Sequence, residues 1–181
     1  MSEETPKVLL NKETSQDLKI VVIGNSGTGK TSFAKRWISG QFCETYKATI
    51  MSDFTYKIIT HKGKSYKVQI WDIAGQDKNI YTSKIFTKNA HASITLIDIT
   101  VPNSLKETLK WKKAVDDNTK FIDNELIPTV LVQNKIDLIE ESKLRNDEEV
   151  KQFAKDNGFI NYFKTSCKDG TGVNECMDFL I

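Results

Sequence analysis

Arginine is nearly absent from this chain. Of its 26 basic Lys and Arg residues only two, Arg36 and Arg145, carry a guanidinium, so few side chains can offer forked recognition of a carboxylate or phosphate. Cysteine is equally sparse. Cys43, Cys167 and Cys176 are scattered and show no Cys-x-x-Cys pair for zinc or redox work, a pattern that fits a reducing compartment. No apolar run approaches the roughly 20 residues of a membrane-spanning helix, and the N-terminus lacks the basic-then-apolar pattern of a secretory signal. Charge of one sign is missing too: a net charge of +2, with 28% of residues charged, shows no polybasic bias towards nucleic acid. The expectation is a cytosolic protein, or one held at membranes by means other than a spanning helix. The 181 residues suit one domain with a single core.

Residues 1–17 are polar, mix charges and carry no sustained periodicity, so they read as a flexible N-terminal extension, with a folded domain expected over 18–181. Leu18–Ile23, Ala92–Ile97 and Thr129–Val132 are nearly continuous apolar or β-branched runs, as expected of parallel strands buried on both faces. Ser52–Thr60 and Lys64–Trp71 alternate instead, and His61 to Lys64 between them reads as a hairpin turn. Phe33, Ala34, Trp37 and Ile38 mark one helix and Val150, Phe153 and Ala154 another; Ser104–Val115 is a third, capped by Asn103 or Ser104. The prediction is a doubly wound α/β domain, with a six-stranded, mostly parallel sheet containing one antiparallel strand, flanked by about five helices.

Directly after the first strand comes Gly24-Asn25-Ser26-Gly27-Thr28-Gly29-Lys30-Thr31, a complete G-x-x-x-x-G-K-[ST] motif opening a helix. In that setting backbone amides form an anion nest, the helix N-terminus adds positive charge, Lys30 reaches the β- and γ-phosphates, and the Thr31 hydroxyl ligates Mg2+. Asp72 ends the third strand within Asp72-Ile73-Ala74-Gly75-Gln76, where a carboxylate serves the metal, Gly75 lets its amide approach a γ-phosphate, and Gln76 can orient an attacking water. The fifth strand runs into Asn134-Lys135-Ile136-Asp137. Asp137 can accept from guanine N1–H and the exocyclic amine, which adenine cannot match; Lys135 can lie along the base and Asn134 can tie this loop to the phosphate loop. Taken singly, each of these stretches could be a structural turn or a helix cap. Their order after the first, third and fifth strands gives them joint weight.

That order resembles the Ras-like GTPases of the P-loop NTPase fold, over Leu18 to Ile181. The resemblance implies a GTP- and GDP-binding switch with Mg2+ as cofactor. Its phosphate cradle extends over Asn25, Ser26, Gly27, Thr28, Gly29, Lys30, Thr31 and Ser32, and Phe42 and Tyr46 flank the base and phosphates. Thr49 joins the metal shell when the γ-phosphate is present, so the implied metal ligands are Thr31, Thr49 and Asp72, and the implied catalytic residues Gln76, Lys30 and Thr49. Ser166-Cys167-Lys168 is similar to the last guanine loop, with the Cys167 amide on guanine O6 and Lys168 covering the base.

Asp53-Phe54, Gln69-Ile70-Trp71-Asp72, Ile97-Asp98-Ile99-Thr100 and Thr165-Ser166 resemble Rab proteins, which direct vesicle traffic. Lys110-Trp111-Lys112 and Asn157-Gly158-Phe159 are similar to the Rab subgroup of lysosome-related and phagosomal membranes. The implied partners are an exchange factor, an activating protein, and effectors bound through the switches and the aromatics Phe54, Trp71 and Phe86; no nucleic acid is implied. The implied location is the cytoplasmic side of endosomal, lysosome-related or phagosomal membranes, cycling with cytosol through a prenylated tail, with this chain expected to be truncated before it. Met51-Ser52 and Asp77-Lys78-Asn79 depart from the family pattern in both switches, whereas Ser26 is a residue Rabs commonly tolerate.

With neither arginine in a switch, intrinsic hydrolysis is expected to be slow and the catalytic guanidinium to come from a partner. A nucleotide kinase would share the phosphate cradle but needs a lid and several arginines. The remaining alternative is a nucleotide-locked module with little turnover.

Overall fold

The computed structural model describes residues 15–44, 49, 53–75, 83–121, 123–140 and 147–181. The elements run β1 (Gln16–Ile23), α1 (Lys30–Ser39), β2 (Asp53–His61), β3 (Lys64–Asp72), α2 (Ser83–Thr87), β4 (Ala92–Asp98), α3 (Ser104–Asn118), β5 (Thr129–Asn134), α4 (Asp147–Asp156), β6 (Asn161–Thr165) and α5 (Val173–Leu180). β1 thus begins two residues ahead of the predicted Leu18. One six-stranded sheet has the order β2-β3-β1-β4-β5-β6, with β2 antiparallel to β3 and every other pairing parallel.

The continuous apolar runs follow from burial on both faces. From β1, Ile20 and Val22 pack with Phe33 and Trp37 of α1 and Met177 of α5 on one side. Val21 and Ile23 point the other way, onto Trp111 and Val115 of α3. A third cluster joins Ile97 and Leu131 to Leu105, Val150, Ala154 and Phe159. Every residue of β4 and β5 is buried.

The β2–β3 hairpin turns through Lys62 and Gly63, both at positive φ (48° and 73°), as a two-residue turn matched to strand twist requires. Alternation along β2 predicts two faces correctly but not which is covered. Phe54, Tyr56 and Ile58 lie outward at 53%, 51% and 61% exposure, because the helical layer packs on the face bearing Ile59 and its neighbour Tyr66. The predicted side-chain cap of α3 is also not formed. Asn103 occupies the cap position at φ 60° without a side-chain bond, and its carbonyl instead accepts from the Lys106 and Glu107 amides. Among the described residues no helix is long and apolar enough to cross a membrane.

Candidate nucleotide site

The C-terminal ends of β1, β3 and β5 open onto a cleft of about 460 Å³. Its lining brings together Ser26, Gly27, Gly29, Lys30, Thr31, Ser32, Phe42, Thr49, Gly75, Asn134, Lys135, Asp137, Cys167 and Lys168. These residues are dispersed in sequence and meet because successive βα loops of a parallel sheet share one edge. Tyr46 and Gln76 lie outside the described residues, as do Met51-Ser52, Asp77-Lys78-Asn79 and Arg145.

The phosphate loop is held from several sides. Gly29 precedes α1 at φ 97°, and a Cβ there would sit 2.4 Å from Asn134 Nδ2. Asn134 donates that amide to the Thr28 carbonyl at 2.8 Å, while its Oδ1 accepts from Thr165 Oγ1 at 3.1 Å and from the Cys167 amide at 3.3 Å. Lys30 Nζ reaches back to the Gly24 and Asn25 carbonyls at 2.9 and 2.8 Å. Burial pulls this ammonium down to about 8, with nearby Asp72 acting in the opposite direction. Asn25 and Thr28 do not line the main cleft. They face a smaller cavity of about 230 Å³ behind the loop, where Trp111 Nε1 donates to Asn25 Oδ1 at 2.7 Å.

At the other end of the phosphate loop, three oxygen-bearing side chains converge. Thr31 Oγ1 stands 2.9 Å from Thr49 Oγ1 and donates to Asp72 Oδ2. Among the described residues no group of three His, Cys, Asp or Glu could hold a metal, so any ion here meets hydroxyl and carboxylate oxygen, a donor set that fits Mg2+ rather than a softer metal. Gly75 closes this corner, since a Cβ on it would stand 2.4 Å from Lys30 Nζ and 2.5 Å from the Ser26 amide nitrogen.

The base-facing end is built by two loops. Asp137 is exposed and accepts from Ser166 Oγ at 2.7 Å; a carboxylate offers about four lone-pair sites, so it retains acceptor capacity. Ser166, buried, acts behind this acid rather than in the cleft. Lys135 is held by Asp98 at 2.6 Å. Burial pushes Asp98 up, but bonds from Lys135 and Thr100 outweigh it and leave the carboxyl below its ordinary value. Phe42, 37% exposed, also lines the cleft, and Lys168 and Glu44 face each other at 4.0 Å.

Sequence reasoning did not find Lys35, Gln41, Cys43, Glu44 and Leu138 in the lining. Three flank Phe42 in one loop, and that adjacency was the available signal. It also did not find Asp98 and Trp111 as supports, because their partners lie 37 and 86 residues away. The aromatic trio divides. Phe54 stacks on Trp71 at 5.2 Å and stays exposed, whereas Trp71 and Phe86, 6.5 Å apart, pack partly into the Val21–Trp111 cluster.

Residues 19–181 match the Ras family. The chain is 35% identical to "Ras-related protein Rab-32A" of Dictyostelium discoideum over 165 residues, covering 90% of this chain and 75% of that protein. It is 35% identical to "Ras-related protein Rab-32" of Homo sapiens over 171 residues, 93% of this chain and 76% of that protein. Identity to "Ras-related protein Rab-7L1" of Homo sapiens is 30% over 164 residues, 90% of this chain and 80% of that protein.

Proposed function

The chain belongs to the Rab family of Ras-related small GTPases, switches that bind GTP and GDP, and from that premise we propose how its own residues divide the work. The observation that carries the reading is the convergence on one cleft of the phosphate loop, Gly75 beside Lys30, and the Asn134–Asp137 and Ser166–Lys168 loops.

Lys30 and the phosphate-loop amides bind and neutralise the phosphates. Thr31, Thr49 and Asp72 hold Mg2+, which when bound screens phosphate charge and polarises the transferring group. Gly75 offers its amide to the γ-phosphate, and loss of that phosphate frees Thr49 and Gly75, which is the switch. Asp137 selects guanine, while Lys135, fixed by Asp98, covers the base. Gln76 orients the attacking water.

Hydrolysis by the isolated protein is slow, because neither arginine lies in a switch and the guanidinium of Arg36 is engaged with the Cys167, Lys168 and Gly40 carbonyls at the base-facing end of the cleft. An activating protein therefore supplies the arginine, a contribution of about 10³ to 10⁵ in rate. Output is recruitment of effectors through the switches and the Phe54–Trp71–Phe86 surface at the cytoplasmic face of endosomal, lysosome-related or phagosomal membranes, in the service of vesicle traffic.

The test is to denature the purified protein and identify what it releases. GDP or GTP is expected, and adenine nucleotide or none would overturn the reading. Single-turnover GTP hydrolysis with and without a Rab-type activating protein then separates a working switch from a nucleotide-locked module.

A further inference from the structure

Arg36 lies one helical turn from the end of α1 and belongs to no motif of the nucleotide site. Its guanidinium nevertheless makes three bonds to backbone carbonyls. Nε donates to Cys167 O at 2.7 Å, Nη2 to Lys168 O, and Nη1 to Gly40 O at 2.5 Å. Two of the acceptors belong to the loop beside the base, 131 and 132 residues away in sequence. The third is the residue that ends α1, two positions before Phe42 of the cleft wall. One rigid, permanently charged fork thus spans two walls of the base pocket, a task for which lysine has the charge but not the planar geometry.

The loop contact continues to the base-selecting acid. A trans peptide is planar, so fixing the Lys168 carbonyl towards Arg36 turns the following amide, that of Asp169, to the opposite side. That amide donates to Ser166 Oγ at 3.3 Å, and Ser166 Oγ in turn donates to Asp137 Oδ1 at 2.7 Å. Arg36 therefore connects to Asp137 through one peptide plane and one hydroxyl.

We propose that Arg36 is a positioning residue for guanine recognition: by holding the Cys167 and Lys168 carbonyls it sets, through Ser166, the orientation of the Asp137 carboxylate. The inference rests on the nucleotide reading above and adds to it an origin for selectivity outside the base-contacting residues. It also accounts for an arginine at position 36 in a chain whose basic residues are almost all lysine.

The experiment measures equilibrium affinity of the full chain for GDP and IDP, with Mg2+, in the unsubstituted protein and in Arg36→Ala and Arg36→Lys. IDP keeps the 6-oxygen and N1–H but lacks the exocyclic amine that Asp137 would accept. In Arg36→Ala, GDP affinity is expected to fall roughly ten- to hundredfold, the span of a charge-assisted hydrogen bond, and IDP affinity distinctly less, so that the preference for GDP narrows. Arg36→Lys should fall between, and it keeps the test alive if the alanine variant does not fold. An unchanged GDP affinity in both variants, an equal loss for both nucleotides, or full rescue by lysine would each overturn the proposal. Failure of the unsubstituted chain to bind GDP would instead overturn the nucleotide reading itself.

Discussion

Trp111 in α3 and Asn25 in the phosphate loop, 86 residues apart, are joined by an indole N–H to amide oxygen bond of 2.7 Å. Trp111 is only 1% exposed, so the loop between β1 and α1 is tied to the interior by the one polar atom of a core side chain. Trp111→Phe keeps most of the ring and removes the donor. It should cost about 1–3 kcal/mol, one hydrogen bond plus the partner it leaves behind. Chemical denaturation under saturating GDP measures this, and an unchanged midpoint would show that the bond carries nothing.

Asn134 is the more consequential anchor. Its buried amide serves Thr28, Thr165 and the Cys167 amide at once, so Asn134→Ala orphans partners in two loops. A loss of about 3 kcal/mol or more is expected, together with faster GDP release. Denaturation and nucleotide-dissociation measurements should move together, and movement of only one would show that the two loops are not coupled here.

Gly75→Ala would press a methyl group to 2.4 Å from Lys30 Nζ and 2.5 Å from the Ser26 nitrogen. The 73–75 segment must then retreat from the phosphate loop. Because misplacement of about 1 Å can cost roughly a hundredfold in rate, single-turnover GTP hydrolysis should fall on that scale. Wild-type turnover in this variant would mean that the close approach plays no part in the reaction.

The three cysteines should separate cleanly by reactivity. Burial pushes the Cys167 thiol up to about 12, despite the nearby Asn134 amide, and burial raises Cys176 as well. The thiolate is the nucleophile, so at pH 8 a group with a pKa of about 12 is ionised in only about one molecule in ten thousand, and its reactivity grows only as pH climbs towards that value. Cys43 is exposed and lines the cleft. Iodoacetamide at pH 8 should label Cys43 alone, with GDP slowing the labelling; peptide mass mapping reads both outcomes.

The sheet, its single antiparallel strand and the phosphate loop were legible because their signals are local. Strand burial is written in continuous apolar runs, and the loop's glycines, Lys30 and Thr31 sit within one short stretch. What escaped depended on partners distant in sequence. Nothing near Arg36 announces that it meets Cys167 and Lys168, and nothing near Asp98 announces Lys135. The outward face of β2 could not be read from its alternation, because period two divides a strand into two faces and only the packing of helices decides which is covered; the family resemblance did imply an exposed Phe54.

That outward face bears on how the molecule behaves among copies of itself. β2 is one of the sheet's two edge strands, and an edge strand with an exposed apolar face is the kind that invites pairing with a second chain. Lys67 lays its ammonium 4.6 Å over the Tyr56 ring and Lys19 lies 4.1 Å over Trp71, while Lys62 and Lys64 stand exposed at the adjoining turn. Positive charge over these rings and at the turn is the kind of feature that opposes self-association of an exposed apolar strand.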